Sequence, residues 1–252
     1  MPLPSRMPTL NVLTVNAHMG FNLLNRRFVL PELHDAIRSV GSDLVFLQEV
    51  VGANERHRLR HANWPTGSQY EFLADSLWSQ YAYGHNAVYP DGHHGNALLS
   101  RFPILHCENR DVSVHGHEGR GLLHCVLDIG EDHELHAICV HLGLRESHRQ
   151  RQIALLSDVI AREIPAGAPL IVAGDFNDWR LRGHPRLVAC GLSEAFQSLH
   201  GRLARTFPVR YPTLRVDRVY LRHARAEYAA ALVSRPWSHL SDHAPLAVRV
   251  AL

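Results

Sequence analysis

The chain has 252 residues, 46% apolar and 20% charged, with 26 basic against 24 acidic side chains and a formal net charge of +2. That length supplies a full hydrophobic core, and the composition is that of an ordinary globular protein. No apolar run approaches the roughly 20 residues needed to cross a bilayer, the stretch MPLPSRMPTLNVLTVN lacks the apolar centre of a signal peptide, and Cys107, Cys125, Cys139 and Cys190 show no C-x-x-C spacing, which excludes a zinc knuckle or redox pair. A cytoplasmic protein with its cysteines used as small buried hydrophobes is the expectation. Every basic residue is arginine, and the balance of charge neither favours nor excludes a nucleic-acid partner.

In chain order, LNVLTVN (10–16) is a β-branched-rich run that ends on Asn16, with His18 close behind. LPELHDAIRSV (30–40) carries Leu30, Leu33, Ile37 and Val40 at three- and four-residue steps with Pro31 near its start, which predicts a helix. DLVFLQEV (43–50) predicts a strand delivering Gln48 and Glu49, and YEFLADSLW (70–78) a second helix. Strands are predicted at 94–101, 106–114, 121–129 and 134–142, the last ending near His141. ESHRQRQIALLSDVIAREI (146–164) predicts the longest helix, with Ile153, Leu156, Val159, Ile160 and Ile164 on its apolar side. PLIVAGDF (169–176) is a continuous apolar run of the kind that both-face burial requires, and it opens into Asp175, Asn177 and Asp178. LRVDRVYL (214–221) brings Asp217, and APLAVRVAL (244–252) follows Ser241, Asp242 and His243. No repeat or linker divides the chain, so residues 1–252 are expected to form one α/β domain with two packed sheets covered by helices.

Polar residues thus terminate apolar runs in six separate segments. Glu49, Asp175, Asn177 and Asp242 are hard oxygen donors suited to Mg²⁺ or Mn²⁺. Histidines beside carboxylates suit proton transfer near neutral pH. A cation that neutralises a phosphate together with a His–Asp pair that activates water is the equipment for cleaving a phosphate ester. Each segment alone has a plainer reading: an Asx turn for GDFND, a solvated strand end for Glu49, a turn for SDH.

The ordered set LTVNAH, LVFLQEV, GNALLSRFPI, VHLGL, VAGDFNDW, RTFP, LRVDRVY and LSDHAPL resembles the endonuclease/exonuclease/phosphatase superfamily over essentially the whole chain. The resemblance implies a four-layer α-β-β-α sandwich and a metal-dependent phosphoesterase. It implies metal binding by Glu49, Asp242 and Asn16, with Asn16 also at the substrate. It further implies phosphate contact by His141, positioning of water and phosphate oxygens by Asp175 and Asn177, and a base, His243, held in its tautomer by Asp217. Arg101 matches an arginine found near the site in some members, while Phe176 and Trp179 read as supporting core. The deoxyribonuclease-like members pair the His141 position with a glutamate, and YAYGHNAVYPDGHHGN offers no obvious carboxylate there.

The resemblance is nearest to small bacterial members grouped with lipid-remodelling proteins. A phospholipid-derived or other small phosphodiester, met at a membrane surface in the lipid case, is therefore the first expectation. A repair-type DNA or RNA nuclease is the alternative, and a non-catalytic phosphate-binding module is the third. Arg145, in RESHRQR, is a candidate for a second phosphate, with Arg149 considered beside it.

Overall fold

The computed structural model describes residues 9–24, 26–75, 77–114, 118–131 and 133–252. Two six-stranded mixed sheets pack face to face. The first contains β1 (Thr9–Asn16), β2 (Leu44–Asn54), β3 (Gln80–Tyr89), β4 (Gly92–Ser100), β11 (Arg225–Ala231) and β12 (Leu246–Ala251), in the order β11-β12-β1-β2-β4-β3. The second contains β5 (Ile104–Asp111), β6 (Gly121–Asp128), β7 (Glu134–His141), β8 (Leu170–Asp175), the two-residue β9 (Ser193–Glu194) and β10 (Asp217–Arg222), in the order β5-β6-β7-β8-β10-β9. Only β1–β2 and β7–β8 run parallel, and each parallel pair is joined through a long helix. These are α1 (Leu30–Val40), which lies against the outside of the first sheet with α3 (Gln69–Ala74), and α4 (Glu146–Glu163), which lies against the outside of the second with α5 (His184–Ala189).

The two-residue period sorts each central strand between layers. Leu10, Val12, Leu44 and Phe46 face the second sheet, while Leu13, Val15, Val45 and Leu47 face α1 and α3. Ile171 and Ala173 meet the first sheet, and Leu170 and Val172 meet α4. The uninterrupted LIVA run therefore has an apolar partner on both faces, as its pattern requires. α4 supplies Ile153, Leu156, Val159 and Ile160, and ends one residue before its predicted limit.

The second predicted helix is shorter than expected. It stops at Ala74 because Asp75 takes φ +49°, while its start is held by a reciprocal Ser68–Glu71 capping box. Cys125 and Cys139 are buried, but Cys107 is exposed, since β5 is an edge strand with one open face. Among the described residues no helix is long and apolar enough to span a membrane.

Candidate active site

The carboxyl ends of β1, β7 and β8, the middle of β2 and the amino end of β10 lie together, as the registers Asn16↔Gln48, His141↔Asp175 and Asp175↔Asp217 show. On the inter-sheet face, the series 171, 173, 175 turns from Ile and Ala to Asp at the strand's last residue. β7 does the same with 137, 139, 141, passing from Ala137 through Cys139 to His141. The alternation that fills the core thus delivers the polar groups to its rim.

Glu49 requires more than alternation. Leu47 and Val50 both face the helical layer, so two residues must share the inner side between them. A bulge interrupts the β2–β4 register between Leu47 and Val50, and Glu49 takes φ +55°. Gln48 then donates across the sheets to Cys139 Sγ at 3.3 Å, and Glu49 is turned into the cleft, its Oε1 lying 3.9 Å from His141 Nε2.

Asp175 divides its two oxygens. Oδ1 accepts from the Asn177 backbone N–H at 2.9 Å, the Asx turn expected of this sequence, while Oδ2 faces the site. There it lies 3.4 Å from Asn16 Nδ2, 3.4 Å from Asn177 Nδ2, 3.5 Å from His141 Nε2 and 3.9 Å from His243 Nε2. His243 Nδ1 meets Asp217 Oδ2 at 2.8 Å, which orients Nε2 toward Asp175. Asp242 Oδ1 is 3.5 Å from His18 Nδ1, and Ser241 Oγ donates to the Asn16 carbonyl at 2.7 Å, tying the amino- and carboxyl-terminal segments together.

The electrostatics follow from burial. Desolvation holds Asp175 up at about 7, with Asp217 adding to the rise, and it also raises Glu49, to which Asp242 adds. Burial, and then the positive charges of Arg120 and His243, push His141 well below the ordinary imidazole value, so it is neutral. Desolvation works against the His243 cation, but Asp217 and Asp175 together overcome it and raise the group to about 10. His94 is held at about 4 by burial and Arg120.

Asp175, Asp217 and His243 offer ligand atoms within 4.8 Å of one another. With Nδ1 of His243 already committed to Asp217, however, this trio is a hydrogen-bonded group before it is a metal cage. The donor set as a whole does fit a divalent cation. Glu49, Asp175, Asp217 and Asp242 converge on a largely buried pocket in which Arg120 is already paired to Glu118 at 3.2 Å. Among the described residues no hydrogen bond is made to the Glu49 carboxylate, whose nearest basic group is His141 Nε2 at 3.9 Å, which leaves a hard oxygen donor without a hydrogen-bond partner.

Asn16, Glu49, His141, Asp175, Asn177, Asp217, Asp242 and His243 are therefore brought together. Arg101 is not. Leu44 pairs with Ser100, so Arg101 stands at the opposite end of the first sheet from Glu49, bound to Asp43 at 3.3 Å. Arg145 precedes α4 at the site end and is exposed, whereas Arg149 is buried and spent on the Gly143 and Leu144 carbonyls and on Glu146. Phe176 is core, but Trp179 is 45% exposed with Arg180 over its ring. Asp178 belongs to the scaffold, accepting from the Arg182 and Gly183 backbone and from Arg218. Sequence reasoning missed Arg120 and His94. His94 lies in the very stretch searched for a carboxylate, and its strand pairs with β2 at Val51, beside the bulge.

Residues 13–243 match the Endonuclease/Exonuclease/phosphatase family, and the chain belongs to it. Among individual relatives, the uncharacterised protein YbhP of Escherichia coli is 56% identical over 254 residues, covering 100% of both chains. An endonuclease/exonuclease/phosphatase structure from Beutenbergia cavernae superposes with a TM-score of 0.76 at 20% identity, covering 97% of this chain and 72% of that one. D. rerio TDP2 complexed with single strand DNA product superposes with a TM-score of 0.71 at 18% identity, covering 97% and 99%. The expected α/β sandwich is thus the observed fold.

Proposed function

We propose that the protein is a divalent-cation-dependent phosphodiesterase that cleaves its substrate by attack of water. The observation that carries this reading is the hydrogen-bonded Asp217–His243 pair, whose free Nε2 points to Asp175 beside Asn16, Asn177 and His141. Asp217 fixes the ring so that Nε2 is the atom that exchanges a proton with water; raised to about 10 in the cation-free protein, it holds that proton at pH 7, and the positive charge of a bound cation would lower it toward the range in which it accepts one. Neutral His141 has a ring N–H to donate to a phosphate oxygen, while Asn177 Nδ2 donates to the Leu142 carbonyl at 2.9 Å and to Asp175 Oδ2 at 3.4 Å, fixing the carboxylate beside it. Asp175, held near neutrality by burial, orients these donors and the water. Mg²⁺ or Mn²⁺ would be held by Glu49 with Asp242 and Asn16, and when bound it supplies charge neutralisation for the phosphate.

Two substrate classes suit this chemistry. A phospholipid-derived or other small diester is the first, and a nucleic-acid strand is the second, favoured by the likeness to TDP2 with its DNA product. The test is hydrolysis of a nitrophenyl phosphodiester, single-stranded DNA, RNA and a phospholipid by purified protein with Mg²⁺ or Mn²⁺, beside His243→Ala. Cation-stimulated cleavage that the variant loses is expected. Failure to cleave any diester, or wild-type rates in the variant, overturns the reading.

A further inference from the structure

A cleft of about 770 Å³ lies away from the residues described above, at the flank where β11 of the first sheet approaches α6 (Ala195–His200) of the second. Its apolar lining is Phe196, Leu203 and the β11 alanines, and His200 Nε2 lies 3.1 Å from the Ala229 carbonyl. Its charged lining is Arg202, Arg205 and Arg215, and among the described residues no carboxylate lines it. Among the described residues none of these three guanidinium groups has an ion-pair partner. Scattered surface arginines would be solvated on a convex face. Here three converge on a concavity of one sign, where the field is focused rather than dispersed.

The chemistry selects a multiply charged ligand. One phosphate can be shared among guanidinium groups, but a chain of successive phosphates offers each of the three a partner of its own. The segment that lines the cleft leads on to the Asp217–His243 pair. Arg205 is followed by Thr206, whose Oγ1 accepts from the Asp217 N–H at 3.3 Å and whose carbonyl accepts from the Ala244 N–H at 2.9 Å. Phe207 then packs on His243 with ring centroids 4.9 Å apart. Beyond it, the 207–214 turn presents Tyr211 at 81% exposure, and the loop after β8 presents Trp179, two aromatic surfaces on which bases can stack.

We propose that this cleft binds the backbone of a single-stranded polynucleotide, with successive phosphates on Arg202, Arg205 and Arg215. The direction of the strand toward His243 rests on the phosphodiesterase reading; the binding itself does not.

The test is fluorescence anisotropy of a labelled oligonucleotide of roughly ten nucleotides, titrated in EDTA over a range of salt. The variants are a triple Arg202→Ala, Arg205→Ala, Arg215→Ala and a charge-matched control, Arg58→Ala, Arg162→Ala, Arg225→Ala. The cleft variant is expected to bind at least about tenfold more weakly, and the slope of log K against log salt to fall by about 2, near 0.7 for each lost contact to a single strand. Absence of strand binding by the wild-type protein overturns the proposal, as does an equal loss in the control. Binding of phosphatidylglycerol vesicles through the same arginines, in place of the strand, also overturns it.

Manganese-dependent hydrolysis of a nitrophenyl diester, run in parallel, separates the two readings. Strand binding lost from the cleft variant without small-diester hydrolysis by the wild type keeps the cleft and sinks the enzyme. Small-diester hydrolysis without strand binding does the reverse.

Discussion

Asp217→Asn separates the charge of the dyad from its shape. The amide can still accept from His243 Nδ1 across the present 2.8 Å, but the carboxylate charge that does most to raise His243 is gone. His243 titrates at about 10 in the cation-free protein against 6.5 for an ordinary imidazole. The native state therefore holds the proton more tightly than the unfolded chain. At 1.36 kcal/mol per unit, this contributes on the order of 4 kcal/mol at pH 7. The sign is that of a raised group: the contribution is complete below pH 6.5 and is lost as pH rises through 10. Urea unfolding in EDTA should find the variant less stable at pH 7 by up to about 4 kcal/mol, with Asp175 and Asp242 retaining part of the effect, and the gap should close toward pH 10. Turnover with cation should fall by roughly 10²–10⁴. A gap that widens between pH 7 and 10, or an unchanged His243 titration by NMR in the variant, would refute the reasoning.

Three further outcomes are expected. Glu49→Gln should weaken Mn²⁺ binding by calorimetry about tenfold or more, since it removes the least compensated hard donor. Gly174→Ala should lose about 3 kcal/mol or more in thermal unfolding, because an added Cβ would lie 2.0 Å from the Val140 carbonyl at φ +142°, where no flexible side chain can yield. Glu194 is buried with Oε1 unpartnered and is pushed up to about 7 by desolvation. The wild type should therefore lose about 3 kcal/mol of stability from pH 4.5 to above 7, and Glu194→Gln, which keeps an acceptor for the Gln197 N–H, should lack that pH dependence.

The interior strands and the polar groups at their ends were readable because burial on one or both faces writes a period into the sequence. The edges were not. β3, QYAYGHNAVY, and β11, RAEYAAA, mix polar and small residues because one side of each meets solvent. α2 (Glu55–Arg60), α5 and α6 are six residues long, too short to show two turns of a stripe. Arg101 failed for a different reason. Its motif fixed the strand but not which end of it faces the site, and only the antiparallel pairing of β4 with β2 decides that. The Asx turn and the active-site reading of GDFND proved compatible, because one carboxylate has two oxygens.

Position 49 is where folding and chemistry pull apart. Its backbone conformation is one that glycine adopts freely and glutamate adopts under strain, and its carboxylate is desolvated without a donor. Glycine at that position should therefore give a sturdier sandwich, one that lacks the carboxylate proposed to hold the cation.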